Sequence, residues 1–249
     1  MLTAGIDLAA ESAGTALAVI EWDDDRARLI DLRLGVDDAA IVAAASADDV
    51  AKVGIDCAFG WPDEFVAFVS GHADPSATDP SVDGGMIWRR TLAYRETDRF
   101  AREVTGRWPL SVSTDRLGLT AMRCAGLLRR LAEAGVGTDR AGAGDIAEVY
   151  PGASLRLWGF DTAGYRRDPN RRRELLAELR VRAPWFDLSE MQVELMVASG
   201  DAFDAVIAAL VTRAAAQGRY LPPPADVAER ATREGWIALP TGEFETLIA

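Results

Sequence analysis

Thr3-Ala4-Gly5-Ile6-Asp7-Leu8-Ala9 reads as a short buried strand with a carboxylate in its middle. A lone carboxylate in a strand core is costly unless a cation or hydrogen-bond donors meet it. Taken alone, Asp7 reads equally as a strand-end aspartate that caps a turn. The pattern returns in Val53-Gly54-Ile55-Asp56-Cys57-Ala58, where Gly54-Ile55-Asp56 repeats Gly5-Ile6-Asp7. Between the two, Thr15 to Trp22 and Arg28 to Leu34 suit strands separated by polar turns, which predicts an antiparallel meander. Asp37 to Ala47, rich in alanine and entered through acids, suits a helix. A strand reached through a helix is most simply parallel to an earlier one, so Asp7 and Asp56 are expected near one end of one sheet.

Downstream, Pro62 to Val69 suits a helix with proline in its first turn. Ser70 to Gly85 has no periodicity and reads as a long loop, either a lid or plain disorder. Trp88 to Gly106 and Asp115 to Gly135 read as helices. Asp145 to Tyr150 resumes the strand pattern with Glu148 inside it, and helices follow over Asn170 to Val181, Leu188 to Ser199 and Gly200 to Gln217. Gly235 to Pro240 and Glu243 to Ile248 suggest a closing hairpin or edge strand. The expected architecture is one α/β domain over residues 1–249, a mixed sheet flanked by helices, with residues 62–140 as a helical insertion.

The chain of 249 residues, 49% hydrophobic and 27% charged, is long enough for a large core and is not of disordered composition. No apolar run has the length of a membrane span, and no basic leader precedes an apolar stretch, so a cytoplasmic protein with no membrane partner is expected. Two cysteines, Cys57 and Cys124, agree with a reducing compartment. The net charge of -12 argues against coating nucleic acid by charge alone. Arginines nevertheless gather mid-chain, from Arg89 to Arg107 and from Arg166 to Arg173.

The late helix opens with Asp201 and Asp204, three residues apart and so on one face. They read either as a cap and a first-turn acid favoured by the helix dipole, or as a pair that needs a cation between them. Asp7, Asp56, Glu148, Asp201 and Asp204 together make an oxygen-only ligand set, which suits Mg²⁺ or Mn²⁺. Two such ions roughly 4 Å apart activate water and stabilise a leaving oxygen in phosphodiester hydrolysis, with no histidine required. That matters because His72, the only histidine, lies in the aperiodic stretch with no nucleophile placed near it. Zinc ligands, a phosphate-binding Gly-x-x-x-x-Gly-Lys loop and a dinucleotide fingerprint are all missing. Arg95 and Arg99, on one helix face with Arg89 and Arg90 a turn or two earlier, are candidates for holding phosphates of DNA or RNA. Alternatively Arg95 pairs with Asp98 or with a buried catalytic carboxylate.

Gly5-Ile6-Asp7, Gly54-Ile55-Asp56 with Pro62, Arg95-x-x-Asp98, Glu148-Val-Tyr-Pro151 and Gly200-Asp201-Ala-x-Asp204-Ala205 make, in that order, a chain that resembles the domain of unknown function family 429. That family is described as predicted nucleases of ribonuclease H-like fold. The resemblance implies a metal-dependent nuclease with Asp7, Asp56 and Glu148 around a first ion and Asp201 and Asp204 holding a second. Ribonuclease H-like folds also host ATPases and sugar kinases. An ATP-binding phosphotransferase and a catalytically silent binding module are therefore the alternatives.

Overall fold

The computed structural model describes residues 1–72 and 84–248. Strands β1 (Leu2–Asp7) and β4 (Val50–Asp56) lie side by side and parallel, with Gly5 opposite Gly54, Ile6 opposite Ile55 and Asp7 opposite Asp56. The repeated tripeptide is thus a pair of register partners. β2 (Ala16–Trp22) and β3 (Ala27–Leu34) continue from β1 as the expected antiparallel meander. β5 (Ile146–Glu148) adds in parallel to β4, and the two-residue β6 (Phe186–Asp187) adds in parallel to β3, giving the order β5-β4-β1-β2-β3-β6. The chain is therefore an α/β protein built on a mixed six-stranded sheet.

Strand alternation sorts the side chains onto two faces. Ala4, Ile6, Leu17, Val19, Val53 and Ile55 bury one face under α1 (Asp38–Ala45) and α5 (Gly118–Glu133). Thr3, Gly5, Gly54 and the two aspartates lie on the other face, which α9 (Gly200–Ala216) covers. From Ala202 to Val211, α9 is fully buried on all sides, so its apolar composition is that of a core helix. Its approach to the sheet is close because both glycines lack a side chain. A Cβ at Gly5 would lie 2.1 Å from Ala209 N and 2.3 Å from Ala205 O, and one at Gly54 would lie 2.0 Å from Thr212 Oγ1. α6 (Pro151–Leu157), α7 (Pro169–Arg182) and α8 (Glu190–Ala198) pack around α9 on the same side.

Some expected boundaries move. The helix expected over Trp88 to Gly106 is two, α3 (Gly85–Ala93) and α4 (Glu96–Thr105), because Tyr94 and Arg95 are extended and the Asp98 carboxylate accepts from the Arg95 backbone N–H to start a new helix. α2 (Asp63–His72) runs into the stretch expected to be a loop, and residues 73–83 of that loop lie outside the described residues. The closing hairpin does not form. Ile237 instead bridges Glu148 in parallel, Pro240 bridges Tyr220, and Phe244–Ile248 is a 3-10 turn. Pro240 has no N–H to donate to a ladder, and Gly242 follows at φ 81°. α10 (Ala228–Glu234), not expected from the sequence, ends in Glu234, whose buried carboxylate accepts from Asp63 N and Glu96 N and so ties the starts of α2 and α4 together.

Candidate active site

The carboxyl ends of β1 and β4 deliver Asp7 and Asp56 to the face that α9 covers, and the first turns of α9 bring Asp204 to meet them. Asp7 is 8% exposed and Asp204 is fully buried, while the Asp56 side chain keeps 20% of its exposure. The group that meets all three is Arg166, on the turn between α6 and α7. Its Nη2 lies 3.8 Å from Asp7 Oδ2, 3.9 Å from Asp56 Oδ2 and 2.6 Å from Asp204 Oδ2. That last approach lacks the alignment of a hydrogen bond, so Asp204 Oδ2 is a buried oxygen without one. Asp204 Oδ1 accepts from the Tyr165 hydroxyl at 2.8 Å.

The electrostatics follow from the count. Burial, then repulsion from Asp56 and Asp204, holds the Asp7 carboxyl well above the usual carboxylate range despite Arg166. Burial likewise pushes Asp56 up to about 7, with Arg166 opposing and Asp204 and Glu148 adding to the rise. Asp204 is raised by burial against the opposing pull of Arg166 and the Tyr165 hydrogen bond. One guanidinium is too little positive charge for two buried acids and one half-buried one.

Arg166 and Tyr165 were not singled out as site residues in the sequence, and both are held by a buried arginine. Arg172, in the first turn of α7, donates from Nη1 to the carbonyls of Tyr165 (2.9 Å) and Arg166 (3.2 Å). Its Nε and Nη2 bind the carbonyls of Val197 and Ala198 at the end of α8. Arg172 therefore fixes the arginine turn to the α8–α9 junction. The faint sequence signal was Gly164-Tyr165-Arg166-Arg167 just ahead of the Asp168-Pro169 helix start, where Asp168 caps α7.

Of the other expected site residues, Asp201 is exposed in the first turn of α9, near enough to raise Asp7 and Asp204 by its charge. Ser199, not Asp201, caps that helix by accepting from Ala202 N. Glu148 does not join the three aspartates. Its register partner is Ile55, one residue out of phase with Asp56, so pleating sends it to the opposite face of the sheet. There Arg95 clamps it bidentately at 2.7 and 2.8 Å, and Phe59 N donates to it at 3.0 Å. Arg95 also binds both oxygens of Asp98 and is 2% exposed, so it is a buried ion-pair residue and not a phosphate-facing one. Arg99 pairs with Glu96 at 2.6 Å, and Arg89 and Arg90 are exposed on α3.

Two clefts open on the site. One, of about 450 Å³, runs past Asp7, Asp56, Glu148, Tyr150, Arg116 and Arg166. The other, of about 340 Å³, shares Asp56, Tyr150 and Arg166 with the first and is also lined by Arg107, Arg156 and Arg167. Among the described residues no group of three or more histidine, cysteine, aspartate or glutamate side chains is set to hold a metal ion, and the Arg166 guanidinium stands among the three acids.

A family model described as "protein of unknown function (DUF429)" matches residues 5–229, from the first strand to α10. The chain belongs to this family. Asp7, Asp56, Tyr165, Arg166, Arg172 and Asp204 of this DUF429 protein all lie inside the matched span. No curated protein and no solved structure matches the chain. No single helix among the described residues of this DUF429 protein is long and apolar enough to cross a membrane.

Proposed function

We propose that this DUF429 protein is a divalent-cation-dependent phosphodiesterase of ribonuclease H-like architecture that acts on nucleic acid. The observation that carries the reading is the meeting of Asp7, Asp56 and Asp204 with Arg166 as the one cation that faces all three. When all three carboxylates are ionised, one guanidinium leaves two negative charges uncompensated, the charge of one Mg²⁺ or Mn²⁺ ion. The donors are all oxygen, as those ions prefer. Asp7, Asp56 and Asp204 would hold the ion, with Asp201 adding negative potential at the rim. Bound there, such an ion lowers the pKa of a water and offsets charge on a leaving oxygen. The protein's own part is positional: Tyr165 orients the Asp204 carboxylate, and Arg172 holds the turn from which Arg166, displaced from the acids by an ion, would face a phosphate. Two buried free cysteines support a reducing, cytoplasmic location.

Hydrolysis of DNA and RNA panels with Mn²⁺ tests this. Cleavage by the wild type, abolished by chelation and by Asp7→Asn, is the expected result; equal turnover by Asp7→Asn rejects the site. A second reading, a binding module without catalysis, is favoured by Arg166 already standing where a cation would sit. Calorimetric titration with Mn²⁺ separates the two, because the module takes up no ion.

A further inference from the structure

The second cleft holds a positive group that the proposed chemistry does not use. Arg156, on α6, stacks its guanidinium 5.8 Å from the Tyr150 ring centroid. Its Nε and Nη2 are buried, and no group among the described residues accepts a hydrogen bond from them. Buried guanidinium donors are normally paired, so an unpaired fork needs an acceptor, which an anion entering the cleft can supply. Arg107 and Arg167, both exposed, line the same cleft and have no ion pair among the described residues. Among the described residues the only acid on its walls is Asp56. In a chain of net charge -12, three unneutralised arginines around about 340 Å³ form a local positive pocket. A flat guanidinium fork matches phosphate oxygens better than it matches a single point acceptor.

We infer that the Arg107–Arg156–Arg167 cleft seats a backbone phosphate of a nucleic-acid strand, next along the strand from the phosphodiester that faces Asp7, Asp56 and Asp204. This rests on the nuclease reading for the identity of the strand, but not on metal or turnover. Arg156 is a positioning residue: its fork sets the register of the strand against the acids.

The test is fluorescence anisotropy with labelled hexathymidylate and hexauridylate in EDTA, where no hydrolysis occurs. Wild type is expected to bind at least one of them, Arg156→Met to weaken that binding about tenfold, and Arg156→Lys to recover part of it. Arg129→Ala, which removes an equal charge from an exposed site on α5, is expected to bind as wild type. A hexamer with methylphosphonate linkages is expected to lose the difference between wild type and Arg156→Met. Wild-type affinity in Arg156→Met, or no binding of either hexamer by wild type, overturns the inference. Since metal is absent, Arg156-dependent binding without Mn²⁺-dependent cleavage sinks only the nuclease reading, and cleavage with Arg156-independent binding sinks only the cleft.

Discussion

Gly5 and Ala209 are so close that a single methyl group at Gly5 would sit 2.1 Å from the Ala209 backbone nitrogen. This contact presses α9 onto β1 and thereby brings Asp204 down to the level of Asp7. The glycine of the Gly-Ile-Asp repeat thus serves the aspartate that follows it two residues later.

Gly5→Ala is expected to cost about 3 kcal/mol, since the clash is with backbone that has no rotamer to escape into. In a chain of this size that lowers the melting temperature by roughly 10 °C. Gly54→Ala meets the Thr212 hydroxyl instead, so Thr212→Ala is expected to recover much of its cost. Thermal melts of the singles and the double decide it. Failure of Thr212→Ala to rescue Gly54→Ala would mean that the helix approach is not set by these glycines.

The raised aspartates give stability a defined pH dependence. Asp56 carries a folded pKa of about 7 against an ordinary 3.8, so the fold binds its proton more tightly than the unfolded chain does. Its contribution to stability is complete below the ordinary value and is lost as pH rises through about 7. Without divalent ions, Asp56→Asn is expected to raise the melting temperature by several degrees at pH 8 and to leave it unchanged near pH 4. A gain of equal size at both pH values would contradict the assignment.

Arg166 competes with any cation for the same oxygens. Arg166→Ala is expected to lower stability at pH 8 in chelator, because the acids lose the guanidinium that faces all three. The same variant is expected to bind Mn²⁺ about tenfold more tightly, an effect of roughly 1.4 kcal/mol. Isothermal titration measures this directly, and weaker Mn²⁺ binding in Arg166→Ala would argue that the ion sits elsewhere.

Arg95 is expected to behave as a structural ion-pair residue. Arg95→Met strands Glu148 and Asp98 as buried charges and should cost about 3–5 kcal/mol in urea denaturation. Pairing it with Glu148→Gln is expected to restore part of that loss. A variant that instead folds as well as wild type and loses only nucleic-acid affinity would return Arg95 to the phosphate-facing role its spacing suggested.

Much of this was legible in the residues. The two Gly-Ile-Asp stretches announced neighbouring parallel strands, the polar turns announced the meander, and the unbroken apolar helix announced α9. The break between α3 and α4 was not legible, because it rests on a side chain, Asp98, folding back on the Arg95 backbone, and α10 was not legible, because Glu234 anchors it to the distant starts of two other helices. Glu148 misled for a simple reason. Its strand was correctly expected, but a strand shows which residues alternate and not how it is registered against its neighbour, and a single step of register moves a side chain to the opposite face.

By itself the sequence determined the class of fold and three acids of the site, because hydrophobic alternation and the glycine–aspartate repeat are local properties that survive in one dimension. Only the tertiary structure decided the counter-charge. Arg166 enters from a turn with no periodicity, and its selection over Arg95 or Arg99 depends on Arg172 tethering that turn to the far end of α8. Which arginine faces which acid is a matter of three-dimensional packing, and charge spacing along a chain carries no record of it.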